Sequence, residues 1–224
     1  MVIGCIFDCD GVVVNSSDLH IEAWKKLSEE EGMVFPEHLF KMSFGMKNEQ
    51  IIPDLFGWTH EVQEIRRLDA RKELLYRELV VSRGASTFPG VESFLKMLKK
   101  QRFPCVIGSS APRLNVTVAL DTLKLCGFFQ AIISGEDAPL GKPDPHIFLA
   151  GAKALGLKPR ECVVFEDAHV GIAAARAAGM KVVAVANTFP PASLHEADCV
   201  VDRLDELTWV NLTQLFEPEA GSRS

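Results

Sequence analysis

Two aspartates, Asp8 and Asp10, close the first apolar run of the chain, which reads GCIFDCDG over residues 4–11. Side chains alternate along a strand, so Asp8 and Asp10 project to one side while Cys9 projects to the other. Two carboxylates held this close can divide the work of a reaction, because one can attack an electrophile while the other moves a proton. The pair is the first candidate for catalytic chemistry.

More polar residues follow later apolar runs. Ser109 and Ser110 follow the run VIG, and Glu166 and Asp167 end the run VVFED. If these runs are parallel strands, their carboxyl ends meet at one rim of a sheet, which is where open α/β sheets bind ligands. Up to four carboxylates would then share a pocket, and such crowded charges need protons or a cation. An all-oxygen set without nearby His or Cys suits Mg²⁺.

A lysine completes this set of polar residues. Lys142 lies in GKPDP, just before a helical pattern. Its ammonium, the hydroxyls of Ser109 and Ser110, and backbone N–H groups after the strand are the groups that hold a phosphoryl group. Together with the acids, they predict a magnesium-assisted phosphoryl-transfer site.

The elements that must position these residues follow a regular order. From about residue 88, short β-branched runs at 104–110, 131–135, 161–167, 181–186 and 199–202 alternate with helical patterns. Residues 1–8 add one more strand. Strands that alternate with helices predict an α/β fold with a doubly wound parallel sheet that is covered on both faces.

Residues 15–86 interrupt this order. They contain no strong strand pattern, and their apolar spacing predicts one amphipathic helix around Leu19–Leu27 and a longer one that ends near Gly84. We therefore expect an α/β core formed by residues 1–14 and 87–216, with residues 15–86 as an inserted helical cap that can act as a lid. Residues 217–224 are predicted to be a disordered tail.

Composition excludes several functional classes. The chain has 224 residues, a formal net charge of −6 and no long basic run, so non-specific nucleic-acid binding is not expected. It has no apolar stretch of about 18 residues, which argues against a membrane span. The N-terminus has no basic leader, and the six cysteines form no C-x-x-C pair, as is typical of buried thiols in a reducing cytoplasm. We expect a cytoplasmic monomer.

The four polar motifs, in this order, resemble those of the haloacid dehalogenase superfamily. DCDG resembles the first motif, Ser109 the second, the lysine of GKPDP the third, and the acidic pair of FEDAHVGIAAARAAG the fourth. The likeness covers nearly the whole chain and is greatest to the β-phosphoglucomutase-like phosphatases. The insertion at 15–86 is where that branch carries its helical cap.

The resemblance implies a role for each residue at the phosphoryl end. It makes Asp8 a nucleophile that forms an aspartyl-phosphate and Asp10 a general acid and then a general base. Ser109 and Lys142 would hold the phosphoryl oxygens, with Lys142 also offsetting the charge of Asp8. Asp10 argues against the dehalogenases themselves, which lack this second acid. A receiver domain is also a poor match, because it is much shorter and has no cap.

The resemblance also implies a magnesium site. Asp167 would bind Mg²⁺ directly, together with Asp8 and the backbone carbonyl of Asp10. Glu166 would act through a bound water. The expected activity is a magnesium-dependent phosphatase acting on a small phosphorylated metabolite, such as a phosphosugar, a nucleotide or a flavin-precursor monophosphate.

A phosphosugar mutase of the β-phosphoglucomutase type is the alternative. Such a mutase needs a cap arginine for a second phosphate, but Asn48 stands at the matching place, beside Lys47. Its Ser-Lys-Asn cluster is replaced by Ala111, Pro112 and Arg113. Losing a bidentate arginine is not conservative, so phosphatase is favoured, although Lys47 or Arg113 would be able to compensate. The candidates for substrate contact are His20, Trp24, Lys47, Asn48 and Arg113.

Overall fold

The computed structural model describes residues 2–217, and its centre is a six-stranded parallel sheet with the order β3-β2-β1-β4-β5-β6. The prediction of a doubly wound parallel sheet is confirmed. The strands are β1 (Gly4–Phe7), β2 (Cys105–Gly108), β3 (Ile132–Ile133), β4 (Cys162–Glu166), β5 (Lys181–Val185) and β6 (Cys199–Val201). β1 lies between β2 and β4, so the strand order reverses direction there.

Buried apolar side chains cover both faces of the sheet. On one face, Phe7 stacks on Phe165 of the neighbouring strand with ring centres 4.4 Å apart, and Phe94 packs edge-on against both. On the other face, Ile6 and Val164 pack against a separate apolar cluster. Strands that are buried on both faces consist of continuous apolar residues, and for this reason the sequence pattern predicts them.

Helices supply the outer layers of this core. One face is covered by α4 (Val91–Lys100), α5 (Arg113–Thr122) and α8 (Trp209–Gln214). The other is covered by α6 (His146–Leu155) and α7 (His169–Ala177). Short helical turns lie at Cys126–Phe128, Gly135–Asp137, Pro159–Glu161, Pro191–Ser193 and Leu204–Glu206.

Between β1 and α4 the described chain is helical. It contains α1 (Ser17–Glu31), α2 (Asn48–Gln50) and α3 (Val62–Arg83), with a 3₁₀ turn at Glu37–Ser43 and a π-helical turn at Ile51–Leu55. These elements have their own apolar cluster, in which Trp24 packs edge-on against Phe56 and Trp58. We call residues 15–86 the cap, a division that stays a prediction of the sequence.

The two chain connections between the cap and the rest of the molecule run side by side. The Asn15 N–H donates to the Ser86 carbonyl over 2.8 Å, and Val14 forms a bridge with Thr87. The first connection lies a few residues after Asp10 and the second pairs with it, so the cap is attached next to the acids that follow the first strand.

The structure also bears on the predictions made for the cysteines, for a membrane span and for the C-terminal tail. Cys5, Cys9, Cys105 and Cys162 are buried, whereas Cys126 and Cys199 are partly exposed. No helix within residues 2–217 combines the length and apolarity that crossing a bilayer requires. The predicted tail at 217–224 lies outside the described residues, except for Glu217.

Candidate active site

The polar strand ends meet at one rim of the sheet. Asp8 directly follows β1, Ser109 follows β2, and Glu166 ends β4 with Asp167 next to it. Because β1 lies between β2 and β4, these four side chains gather where the strand order reverses. All four are buried.

Lys142 reaches the same place from the loop between β3 and α6. Its ammonium Nζ lies 3.0 Å from Asp8 Oδ1 and 2.5 Å from Glu166 Oε1, and it sits 4.9 Å from the centre of the Phe148 ring. Burial lowers the pKa of Lys142, but the carboxylates of Asp8 and Glu166 outweigh it and raise that pKa above its ordinary value. The ammonium therefore stays charged beside Asp8.

Three carboxylates form a group that could hold a cation. Ligand oxygens of Asp8, Glu166 and Asp167 all lie within 4.8 Å of one another. Burial raises the pKa of Asp8 even though Lys142 opposes it. Burial and the charges of Glu166 and Asp8 raise the pKa of Asp167 well above its ordinary value. One ammonium does not balance three buried carboxylates, so this all-oxygen set fits a hard divalent cation.

Glu166 has a more specific environment than the sequence indicated. Besides Lys142, its carboxylate accepts the backbone N–H groups of Asp167 and Ala168, each over 2.7 Å, at the start of α7. It also packs against Gly171, where an added Cβ would lie 1.7 Å from Oε1. Glu166 therefore holds Lys142 in place as well as joining the acidic group.

We predict that Gly171→Ala destabilises the fold by about 1–3 kcal/mol, because the new methyl group would push the Glu166 carboxylate from a closely packed position. A loss of stability would point to this packing, because alanine in a helix is otherwise favoured over glycine by up to about 1 kcal/mol. Thermal and urea unfolding would measure the change. Gly127→Ala is the control, because nothing lies within 4 Å of its added Cβ. Equal stability of both variants would contradict the described packing.

Asp10 lies at the junction with the cap. Its Oδ1 accepts a hydrogen bond from the Ser16 hydroxyl over 2.5 Å and lies 3.3 Å from His20 Nε2. Burial raises its pKa, but the hydrogen bonds from His20 and Ser16 outweigh this and hold the pKa of Asp10 below its ordinary value. The other His20 nitrogen, Nδ1, lies 3.0 Å from Lys72 Nζ. Asp10 is thus linked to a cap lysine through one imidazole.

Sequence reasoning missed two residues that follow β5, one of which contacts Asp167 and the other the turn after β1. The Thr188 hydroxyl donates to Asp167 Oδ2, and Asn187 Nδ2 donates to the Gly11 carbonyl over 2.8 Å. Gly11 has a φ of 86°, and an added Cβ there would lie 2.0 Å from Asp167 Oδ2. Only glycine fits this close approach. The strand-end position of Asn187 and Thr188 was the available signal.

A cavity opens between the acids and the cap, with a volume of about 270 Å³. Asp8, Asp10, Ser109 and Ser110 line its core side. The cap contributes most of the remaining lining residues that bear charged or hydrogen-bonding groups: His20, Trp24, Ser43, Lys47, Asn48, Glu49, Asp69, Lys72 and Glu73. The site therefore has a polar end formed by the core and an end formed mainly by the cap.

The predicted substrate residues have different positions. His20, Trp24, Lys47 and Asn48 line the cavity, whereas the structure places Arg113 outside it. The Arg113 guanidinium instead binds the Ile132 carbonyl and Asp137, because it starts α5 beside that loop. Substrate contact by Arg113 stays a prediction of the sequence.

Two of the cavity residues join cap and core. Lys47 Nζ donates to the Gly135 and Ala138 carbonyls, each over 2.7 Å. Ser110 Oγ donates to the Gly45 carbonyl over 2.9 Å, while Ser109 Oγ accepts the Ala111 N–H over 3.2 Å. These contacts hold the cap over the strand ends and commit the Lys47 ammonium to backbone acceptors.

Comparison with known proteins identifies the family. The model of the haloacid dehalogenase-like hydrolases matches residues 4–179. The chain belongs to this family. It is therefore a hydrolase, and the predicted family, related to β-phosphoglucomutase and its phosphatase relatives, is confirmed.

Named relatives are phosphatases and a mutase. The chain is 34% identical to 5-amino-6-(5-phospho-D-ribitylamino)uracil phosphatase of Arabidopsis thaliana over 97% of its own length, but it spans only 60% of that chloroplastic protein. It is 30% identical to validoxylamine A 7′-phosphate phosphatase of Streptomyces hygroscopicus subsp. limoneus, covering 92% of this chain and 96% of the relative. A solved β-phosphoglucomutase of Clostridium difficile is similar with a TM-score of 0.85 and 26% identity, covering 96% and 97% of the two chains.

Proposed function

We propose that this hydrolase is a magnesium-dependent phosphatase that cleaves the monoester of a small phosphorylated metabolite through an aspartyl-phosphate on Asp8. One observation carries the proposal: Asp8 is a buried carboxylate at the cavity, with the Lys142 ammonium 3.0 Å away and two further carboxylates beside it. This combination suits a nucleophilic carboxylate better than simple structural capping. The three acids need a cation or protons to offset their charge, and a bound cation together with Lys142 would also attract an anionic phosphoryl group.

Each residue at this end then has a task. Asp8 attacks phosphorus, and the bond from phosphorus to the leaving-group oxygen breaks. Asp10 protonates that oxygen and afterwards removes a proton from the water that releases phosphate. Lys142 and Ser109 bind the phosphoryl oxygens. Ser110 joins them when its hydroxyl turns from the Gly45 carbonyl. His20 and Ser16 hold the pKa of Asp10 below its ordinary value against burial, which keeps Asp10 in the ionised form that the base step requires. Asp10 must therefore take up a proton before it acts as the acid.

The metal site uses the same strand ends. Asp8, Asp167 and the backbone carbonyl of Asp10 would hold Mg²⁺, and Glu166 would contribute through water while keeping Lys142 in place. When bound, Mg²⁺ supplies positive charge that offsets the carboxylates and the phosphoryl group. Thr188 and Asn187 orient Asp167 and the Gly11 turn for this purpose.

A phosphosugar mutase is the second candidate, because the Clostridium difficile β-phosphoglucomutase shares the whole architecture. A mutase must hold a second phosphate at the cap. Asn48 at the arginine position donates to Asp69 and Glu73, and Lys47 is bound to two carbonyls. No cavity-lining residue between 2 and 217 is an arginine. These observations favour the phosphatase.

A single assay separates the candidates. The protein is incubated with Mg²⁺ and p-nitrophenyl phosphate, and in parallel with β-glucose 1-phosphate plus a trace of the 1,6-bisphosphate. A phosphatase releases inorganic phosphate from the aryl ester and gives little or no glucose 6-phosphate. Efficient formation of glucose 6-phosphate would favour the mutase, and a protein that neither releases phosphate nor forms glucose 6-phosphate would contradict both candidates.

A further inference from the structure

More carboxylates than ammonium groups line the cavity. Six carboxylates line the cavity, against two ammonium groups: Asp8, Asp10, Glu49, Asp69, Glu73 and Glu136, and Lys47 and Lys72. Asp8 and Asp10 belong to the phosphoryl end. The remaining charges decide what the cap end can accept.

Both ammonium groups are already bound to acceptors within the protein. Lys47 Nζ donates to the Gly135 and Ala138 carbonyls. Lys72 Nζ lies 2.9 Å from Glu73 Oε1 and 3.0 Å from His20 Nδ1, and its side chain is only 3% exposed. Freeing either ammonium for a second anionic group would break these contacts and leave buried polar partners unpaired.

The carboxylate of Glu73 also has several hydrogen-bond donors within the protein, whereas that of Asp69 has one. The Glu73 carboxylate accepts from Lys72, from Asn48 and from Asn115 of helix α5. Asp69 Oδ1 accepts from Asn48 over 2.7 Å, and no donor within residues 2–217 bonds its Oδ2. Asp69 is half-buried and lines the cavity. It therefore offers one oxygen to a ligand.

The charge state of Asp69 follows from its surroundings. Burial raises the pKa of Asp69 to about 6. The nearby carboxylates of Glu73 and Glu49 act in the same direction, while the Asn48 hydrogen bond and the Lys72 ammonium oppose them. No arginine or lysine within the described residues forms a salt bridge with it. At neutral pH it is mainly a carboxylate that a ligand cation or hydroxyl donor would satisfy.

We propose that Asp69 is a specificity-determining residue that selects phosphomonoesters whose leaving group is uncharged or cationic and bears hydroxyl or amine donors. The inference rests on the proposed phosphatase function and names its substrate class. Hydroxyl or ammonium groups donate to Asp69 Oδ2, while a second phosphate or a carboxylate meets uncompensated negative charge. Polyol and amino-polyol monophosphates fit this description.

A series of three monophosphates with one six-carbon skeleton tests the inference. Glucosamine 6-phosphate, glucose 6-phosphate and 6-phosphogluconate carry a cationic, a neutral and an anionic group away from the ester. At neutral pH with Mg²⁺, we expect kcat/KM for the first two to exceed that for the third by on the order of tenfold or more. A compound that is not turned over is measured as a competitive inhibitor of p-nitrophenyl phosphate hydrolysis.

Asp69→Asn should reduce this discrimination to about threefold or less, because it removes the charge and keeps the shape. Asp54→Asn is the control, since Asp54 is an exposed cap aspartate outside the cavity and its loss changes net charge equally. Circular dichroism and thermal melting would show that both variants fold.

The outcomes separate this inference from the proposed function. If p-nitrophenyl phosphate is hydrolysed but 6-phosphogluconate is bound or cleaved as well as the other two, the inference is wrong and the phosphatase stands. Unchanged discrimination in Asp69→Asn, or an equal loss in Asp54→Asn, also overturns it. If no phosphomonoester is hydrolysed, the phosphatase proposal itself fails.

Discussion

Replacing Asp8 with asparagine should lower phosphomonoester hydrolysis by on the order of 10³-fold or more, because the amide oxygen is a poor nucleophile. The loss should appear in kcat, since Lys142 and Ser109 still bind the phosphoryl group. Steady-state kinetics with p-nitrophenyl phosphate and Mg²⁺ would measure it.

The fold should survive this change. Asparagine has nearly the same shape as aspartate, and the Lys142 ammonium keeps Glu166 as its partner at 2.5 Å. Asp202→Asn is a matched control, because Asp202 is exposed and its replacement removes the same charge. If Asp8→Asn kept most of the activity while folding normally, a covalent route through Asp8 would be wrong.

Removing divalent cations should abolish turnover, and adding Mg²⁺ should restore it. The buried carboxylates of Asp8, Glu166 and Asp167 lie close together with one ammonium between them. Without a cation this negative charge repels an incoming phosphate dianion. Activity after treatment with EDTA, followed by titration with Mg²⁺, checks the expectation. EDTA that has been saturated with Mg²⁺ beforehand is the control and should leave the rate unchanged.

A binding measurement separates metal loss from other effects of EDTA. Calorimetry should detect Mg²⁺ binding to the protein without substrate, and Asp167→Asn should weaken it by about tenfold or more. Full turnover in the presence of EDTA, or equal Mg²⁺ affinity in Asp167→Asn, would remove the metal site from the proposal.

The sheet and the strand-end acids could be predicted from local sequence. Strands such as Cys162–Glu166 are buried on both faces, so their apolar runs are continuous and the polar residues after them are conspicuous. Once the runs are taken as parallel strands, Asp8, Ser109 and Asp167 must meet at one rim. This part of the site depends on topology alone.

The cap side of the site could not be predicted in this way. Asp69 and Glu73 lie on one face of α3, and an acidic helix face is ordinarily exposed to solvent. No local sequence pattern indicates that Asn48 and Asn115 donate hydrogen bonds to Glu73. Lys47, a predicted substrate contact, donates to core carbonyls 88 and 91 residues away, and no local pattern indicates those partners. Such contacts arise from how cap and core pack together.

The covalent role of Asp8 can be tested most directly with Asp10→Asn and p-nitrophenyl phosphate. The nitrophenolate leaving group of this substrate departs without a general acid, so phosphoryl transfer to Asp8 still occurs in the variant. Hydrolysis of the phosphorylated Asp8 is slow, because the base that activates water is missing. We predict a burst of nitrophenolate equal to the enzyme concentration, and a mass increase of one phosphoryl group that peptide mapping places on Asp8. Slow release without a burst, and without phosphoryl adduct on Asp8, would contradict the account.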